Sequence, residues 1–198
     1  MRWCERMPHR VVPRIDEQQE DAVTDRAKLE KTEWGWNPTS KGWYVLHASE
    51  APWVHSERFG SVCNFEGGAG FPQLGINIRV LQPGQPASLF HGEDAQENFL
   101  VLSGQCVLLI EDEEIQLRAG HFVHCPPLTD HVFVGTGEVP AVVLMVGHRP
   151  AQARLHYPVH DGARRFGASA ERETTSPREA YGQTPVFNQS VEPIWPLF

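Results

Sequence analysis

The chain has little cysteine and little positive charge, and each shortage removes a class of function. Cys4, Cys63, Cys106 and Cys125 are its four cysteines in 198 residues, and no two of them form a C-x-x-C pair. Neither a zinc knuckle nor a disulfide framework is indicated, and a reducing cytoplasm is the expected setting. Lysine and arginine number 17 against 25 aspartates and glutamates, a formal net charge of −8 with no compensating basic stripe. Binding to a phosphate backbone by counterion release has no footing here, so no nucleic acid partner is expected. Long apolar runs are missing as well. None approaches the roughly 18 residues needed to cross a bilayer, and the N-terminal MRWCERMPHR is polar and basic with no apolar stretch behind it. The expectation is a soluble, unexported, cytoplasmic protein with no membrane partner. No helix-turn-helix is visible, which argues against a complete transcription regulator.

What is present is an ordinary globular composition, 40% hydrophobic and 21% charged, over a length that suits one domain plus extensions. Between Trp43 and Gly147 short runs rich in Val, Ile, Leu and Phe alternate with Gly, Pro, Ser and acidic turns. This is the texture of an all-β sandwich or barrel. The expected strands cover residues 43–48, 61–65, 74–81, 87–91, 97–102, 105–111, 114–117, 121–125, 131–134 and 141–146. Ser103-Gly104 and Asp112-Glu113 read as hairpin turns of an antiparallel, meander-like arrangement. Three runs (FLVL, VLLI and VVLMV) are apolar on both alternating faces, so something must cover the sheet from outside. A second copy in a homodimer is one candidate cover, and the segment carrying Trp34, Trp36, Trp43 and Trp53 is the other.

The flanks read differently. Residues 1–39 form an N-terminal extension, with Asp16 to Lys31 either a short surface helix or disordered. Residues 40–148 hold the barrel. Residues 149–198 form a C-terminal extension in which Ser176-Pro177-Arg178-Glu179 is a capping box with proline at the first helical position. The final TPVFNQSVEPIWPLF reads as an extended tail that docks Phe187, Ile194, Trp195 and Phe198 on a surface.

The segment from Gly84 to Gly135 carries the candidate chemistry. His91, Glu93, Glu97 and His131 are residue types that bind divalent first-row metals. Residues i and i+2 of a strand share a face, so His91 and Glu93 can both point inward; Glu97 opens the next strand, and antiparallel pairing can bring His131 across. Two imidazoles with one or two carboxylates suit Fe, Mn, Ni, Co or Zn. The alternative is a hydrogen-bonded polar cluster without an ion. Glu93 sits in Gly-Glu-Asp-Ala, which also reads as a solvated turn, and Asp94 should face the other way. One of His124 and Cys125 faces the lumen, to shape a pocket or simply to pack. Asn77 and Arg79 share a face of an otherwise apolar strand, where they either bind an anion or meet solvent. Cys106 is expected in the core and His121 on the surface.

These residues resemble the cupin superfamily, whose two motifs read G-x5-H-x-H-x3/4-E-x6-G and G-x5-P-x-G-x2-H-x3-N. Glu97 and Gly104 match the first, and Gly120, Pro126 and His131 fall at the spacings of the second. Gly84 stands one residue too far from His91, Glu93 takes the place of the second histidine, Leu128 that of a glycine and Gly135 that of the asparagine. The resemblance implies a cupin-type antiparallel β-barrel, or jelly roll, over residues 40–148, with His91, Glu97 and His131 as metal ligands. It also implies that Glu93 is a fourth ligand or a general base, with Phe90, Phe99 and Cys106 lining the cavity. On this reading the protein is a metal-dependent enzyme, an oxygenase or an isomerase- or lyase-like catalyst, acting on a small organic molecule. A non-catalytic cupin that binds or senses a small molecule, with a structural metal or none, and an inert barrel are the competing readings.

Overall fold

A computed structural model describes residues 25–182 and 187–190. The alternating apolar runs form β-strands: β1 (Leu29–Thr32), β2 (Gly35–Pro38), β3 (Trp53–Ser56), β4 (Gly60–Asn64), β5 (Leu74–Leu81), β6 (Gly92–Glu93), β7 (Glu97–Ser103), β8 (Gln105–Ile110), β9 (Glu113–Arg118), β10 (Phe122–Cys125), β11 (His131–Thr136), β12 (Ala141–His148), β13 (Leu155–His156) and β14 (Asn188–Ser190). Two short helices follow the barrel, α1 (Asp161–Arg164) and α2 (Pro177–Tyr181). The second begins as its capping box predicts, with the Ser176 side chain accepting from the Glu179 N–H.

Seven strands form one antiparallel sheet in the order β10-β7-β12-β5-β4-β3-β14, and a second sheet runs β11-β8-β9. Pro86 and His91 bridge to Val134 and His131, laying the segment between them along the free edge of β11. The fold is therefore all-β, with the sheet order of a jelly roll rather than a meander; within these two sheets sequential neighbours persist only in β3-β4-β5 and β8-β9. Ser103-Gly104 consequently is not a hairpin. It is the corner where the chain leaves the larger sheet in β7 and enters the smaller one in β8. The acidic turn is a true hairpin, and Glu111 takes the left-handed conformation it demands (φ 48°).

Between the sheets lies one apolar cluster that includes Phe99, Val101, Cys106, Leu108, Phe133 and Val143. Each fully buried Val, Leu or Phe there contributes about 1.5–3 kcal/mol of transfer free energy. The strands apolar on both faces are covered from within the chain. Trp53, Ala48 and Ala51 pack with Ile78, Val80 and Val142 over the outer face of the larger sheet. Ala163, Ala168 and Phe166 pack with Phe90, Val107 and Leu109 outside the smaller one.

Several local expectations are revised. Residues 43–48 are not a strand: Trp43 makes a single bridge to Arg26, and Trp43 and Val45 are exposed. Residues 87–91 form bridges without a regular strand. Within the predicted helical or disordered lead-in, Leu29–Thr32 pairs with Gly35–Pro38 as a hairpin. Part of the expected tail, Asn188–Ser190, adds to the edge of β3. Residues 16–24, Ile194, Trp195 and Phe198 lie outside the described residues.

Two backbone positions test the corners. Gly104 has φ 70°, and a Cβ there would stand 2.3 Å from the Pro140 carbonyl oxygen. Leu128, at a motif position otherwise held by glycine, adopts φ 68°. Gly104→Ala should lower the unfolding free energy by about 2–4 kcal/mol, and Leu128→Gly should raise it by about 0.5–1 kcal/mol by relieving the left-handed strain. Urea unfolding at unchanged slope measures both.

Candidate functional site

His91 and His131 face each other because their backbones pair: each N–H donates to the other's carbonyl, at 3.2 and 2.9 Å. Directly opposed residues of an antiparallel pair share a face, and the two rings lie with centroids 5.7 Å apart. Each ring is also oriented by its own chain. His91 Nδ1 lies 2.8 Å from the Leu89 carbonyl oxygen, and His131 Nδ1 lies 3.0 Å from that of Thr129. A carbonyl only accepts, so both Nδ1 atoms carry the proton and both Nε2 atoms keep a free lone pair. Tyr157 stacks on His91 at 5.5 Å, and Phe99 meets His131 edge-on at 5.1 Å.

Glu97, at the start of β7, approaches from the larger sheet, its Oε2 3.5 Å from His131 Nε2. It pairs across β12 with Gly147. A Cβ on Gly147 would lie 3.7 Å from Glu97 Oε1 and 3.8 Å from Glu93 Oε1, so both carboxylates converge over this bare backbone. All four predicted residues line one cavity of about 490 Å³. Three or more His, Cys, Asp or Glu side chains do not stand close enough together to hold a metal ion among the described residues, so the four are not drawn into one coordination shell.

Burial governs the charges. Desolvation, reinforced by His131, lowers His91 to about 4, and desolvation likewise lowers His131. Desolvation and the neighbouring Glu93 raise Glu97 to about 8, while Glu93 is itself raised by desolvation and by Asp94. The 3.5 Å approach of His131 to Glu97 is thus no ion pair at neutral pH. A neutral imidazole lone pair faces a carboxyl oxygen, and something positive, a proton or a cation, belongs between them.

Other expectations fall on both sides. Phe99 lines the cavity, but Phe90 stacks on His160 at 4.2 Å in the outer cluster, and Cys106 lies in the core. The alternation of β5 sends Ile78 and Val80 outward and leaves Asn77 and Arg79 facing the cavity. Cys125 is buried, whereas His124 is exposed and bonds Asn98 at 2.9 Å. Asp94 turns away to pair with Arg154, and His121 lies at the surface. Sequence reasoning missed Tyr157, Gly147 and Ser88. Tyr157 carries no spacing signal, because the chain between it and the barrel is irregular.

Residues 77–147 match the family model described as "Cupin domain". No curated protein matches the chain. Among solved structures, a sugar phosphate isomerase of the cupin superfamily from Silicibacter pomeroyi aligns at 24% identity and TM-score 0.53, over 60% of this chain and 83% of that one. The polyketide cyclase of Streptomyces resistomycificus aligns at 14% identity and TM-score 0.49, over 56% and 83%. A protein of Acidithiobacillus ferrooxidans named as a candidate sugar phosphate isomerase aligns at 25% identity and TM-score 0.44; the match covers 48% of this chain and 64% of that one.

The displaced pKa values fix the sign of a pH test. Glu97 holds its proton up to about pH 8 when folded but only to its ordinary 4.5 when unfolded. Its contribution to stability is full below 4.5 and lost as pH rises to about 8. His91 works the other way, contributing fully above 6.5 and losing its contribution as pH falls to about 4. In chelator-treated protein, Glu97→Gln should therefore raise Tm at pH 9 by roughly 3–8 °C and leave it nearly unchanged at pH 5. An unaltered Tm at pH 9 would mean that Glu97 ionises without penalty.

Proposed function

Given that residues 77–147 are a cupin domain and the chain falls within the cupin superfamily, we propose that it is a metal-dependent enzyme that moves a proton on a small organic molecule, in the manner of an isomerase or lyase. One observation carries this reading: two imidazoles whose Nδ1–H groups are spent on backbone carbonyls face a cavity shared with two carboxylates, one of them 3.5 Å from a free Nε2. A cation that displaced the Glu97 proton would be held between this lone pair and the carboxylate.

His91, His131 and Glu97 are the residues that would hold a divalent Fe, Mn, Ni, Co or Zn ion, and their mixed nitrogen and oxygen donors suit that series. Such an ion, when bound, would supply Lewis-acid polarisation of a substrate oxygen. The chain's own groups do the rest. The two carbonyl bonds hold the imidazoles in one tautomer. Phe99 and Tyr157 exclude water from the rings. Glu93, half-buried and raised above the usual carboxylate range, is placed to take and return a proton at its carboxylate. A cavity of about 490 Å³ admits a small organic molecule.

Cobalt(II) titration followed by visible absorption tests the reading. The full chain should bind one equivalent. Glu97→Ala and His131→Ala should each weaken binding about 100-fold or more while leaving the far-ultraviolet spectrum unchanged, and Glu93→Gln should keep the metal. Because the Glu97 proton must leave, affinity should rise about tenfold per pH unit between pH 6 and 8, with a proton released per ion. Less than about a tenth of an equivalent bound to the unaltered chain would remove the metal from the proposal.

A further inference from the structure

Arg79 lies on the cavity wall in an unusual electrostatic position. It projects from β5, where Val62 and Val143 flank it on the neighbouring strands, and it lines the same cavity as His91, Glu97 and His131. Its Nη1 donates to the Phe59 carbonyl at 3.1 Å, while its Nε is shielded from solvent and has no hydrogen-bond partner. Desolvation lowers its pKa only to about 10, so it remains a cation at neutral pH. No carboxylate among the described residues pairs with it. The cavity's other guanidinium, Arg149, is by contrast neutralised by Glu66, with both terminal nitrogens on the carboxylate at 2.6 and 2.7 Å.

Two residues along the strand and on the same face, Asn77 also lines the cavity, and its Oδ1 is shielded and without a partner. Its amide can turn to present Nδ2–H instead. A half-buried guanidinium with a shielded Nε and no counter-charge is costly, and such charges in proteins are paired or pair with a ligand. On the same wall, then, are an unpaired cation and an amide able to donate, each with a shielded polar atom left unsatisfied.

We propose that Arg79 and Asn77 form the anchor for a carboxylate carried by the substrate, set on the wall of the cavity that holds His91 and His131. The single planar fork matches a carboxylate, which accepts two parallel N–H bonds. A phosphate, carrying nearly two charges at neutral pH, would be only half neutralised by the one unpaired cation of this wall. The anchor rests on the reading of this cavity as the substrate site, but it does not depend on the metal.

The test uses chelator-treated full chain, so that no ion can capture the carboxylate. Benzoate is the probe, benzamide its neutral counterpart of the same shape, and inorganic phosphate the rival anion. Calorimetry should show benzoate binding at least tenfold more tightly than benzamide, with phosphate failing to compete at equal concentration. Arg79→Met should abolish the preference for benzoate, and Arg79→Lys should restore part of it. Equal binding of benzoate and benzamide, or retention of the preference in Arg79→Met, would overturn the assignment, as would tighter binding of phosphate. Should Arg79→Met not fold, the unaltered chain decides through the Arg79 Nε–H nuclear magnetic resonance signal. A shift with benzoate but not with benzamide supports the anchor, and no shift overturns it. Cobalt binding without benzoate selectivity would sink the anchor alone, and benzoate selectivity without cobalt binding would sink the metal alone.

Discussion

The mutual backbone pairing of His91 and His131 is the constraint on which the site depends. It does two things with one pair of hydrogen bonds. It lays the crossover segment after β5 along β11, adding an edge to the smaller sheet, and it forces two imidazoles onto one face. The carbonyls of Leu89 and Thr129, each two residues upstream of its histidine, then repeat the same orienting bond on both rings. The larger sheet supplies Glu97 from the opposite side, and Glu93 of β6 joins it over a glycine that leaves both carboxylates room. Site and fold are thus the same set of hydrogen bonds, and a change that separated the sheets would also separate the donors.

Placing these polar groups in apolar surroundings has a predictable electrostatic result. Burial disfavours charge, so the histidines are pushed down and the glutamates up, and near neutral pH the two imidazoles and Glu97 all tend toward neutrality. Arg79 is the exception. Its intrinsic pKa is too high for burial to discharge it, so this part of the cavity wall keeps a positive charge although the whole chain carries −8. The local field of a cavity is set by which group cannot be neutralised, not by the sum over the surface.

The strands were legible where an apolar period of two was bounded by turns, and β5, β7, β8, β9 and β12 lie where alternation places them. Residues 43–48 misled because WYVLHA has strand composition, yet no neighbouring strand pairs with it beyond the bridge at Trp43. Ser103-Gly104 misled because a glycine with positive φ serves a corner between sheets as readily as a hairpin, and local sequence does not say which. Among the residues that line the cavity, His91, Glu97 and His131 could be brought together from strand spacing alone, while Asn77 and Arg79 were readable as sharing a face but not as to which face turned inward. The sign of that alternation was decided by the far-off Trp53, which covers the Ile78 and Val80 side. The departures from the motif also have physical reasons. A Cβ at Gly135 would stand 2.4 Å from the Gln82 carbonyl oxygen, so the strand is too close there for asparagine.

The covering segments explain why the chain is longer than the domain its motifs describe. Strands apolar on both faces cannot be stable with one face in water, and segments of the chain itself pack over them. Trp53 and its neighbours close one side. On the other, His160 caps α1, stacks on Phe90 and lies 3.1 Å from the Glu111 carbonyl oxygen, which ties the C-terminal segment to the β8-β9 turn. Tyr157, carried on the same segment, packs against His91. The extension therefore does more than shield the sheet: the segment that seals the outside of the smaller sheet also delivers the ring that packs against His91. Loss of outer packing at Phe90 would be felt one residue away, at His91.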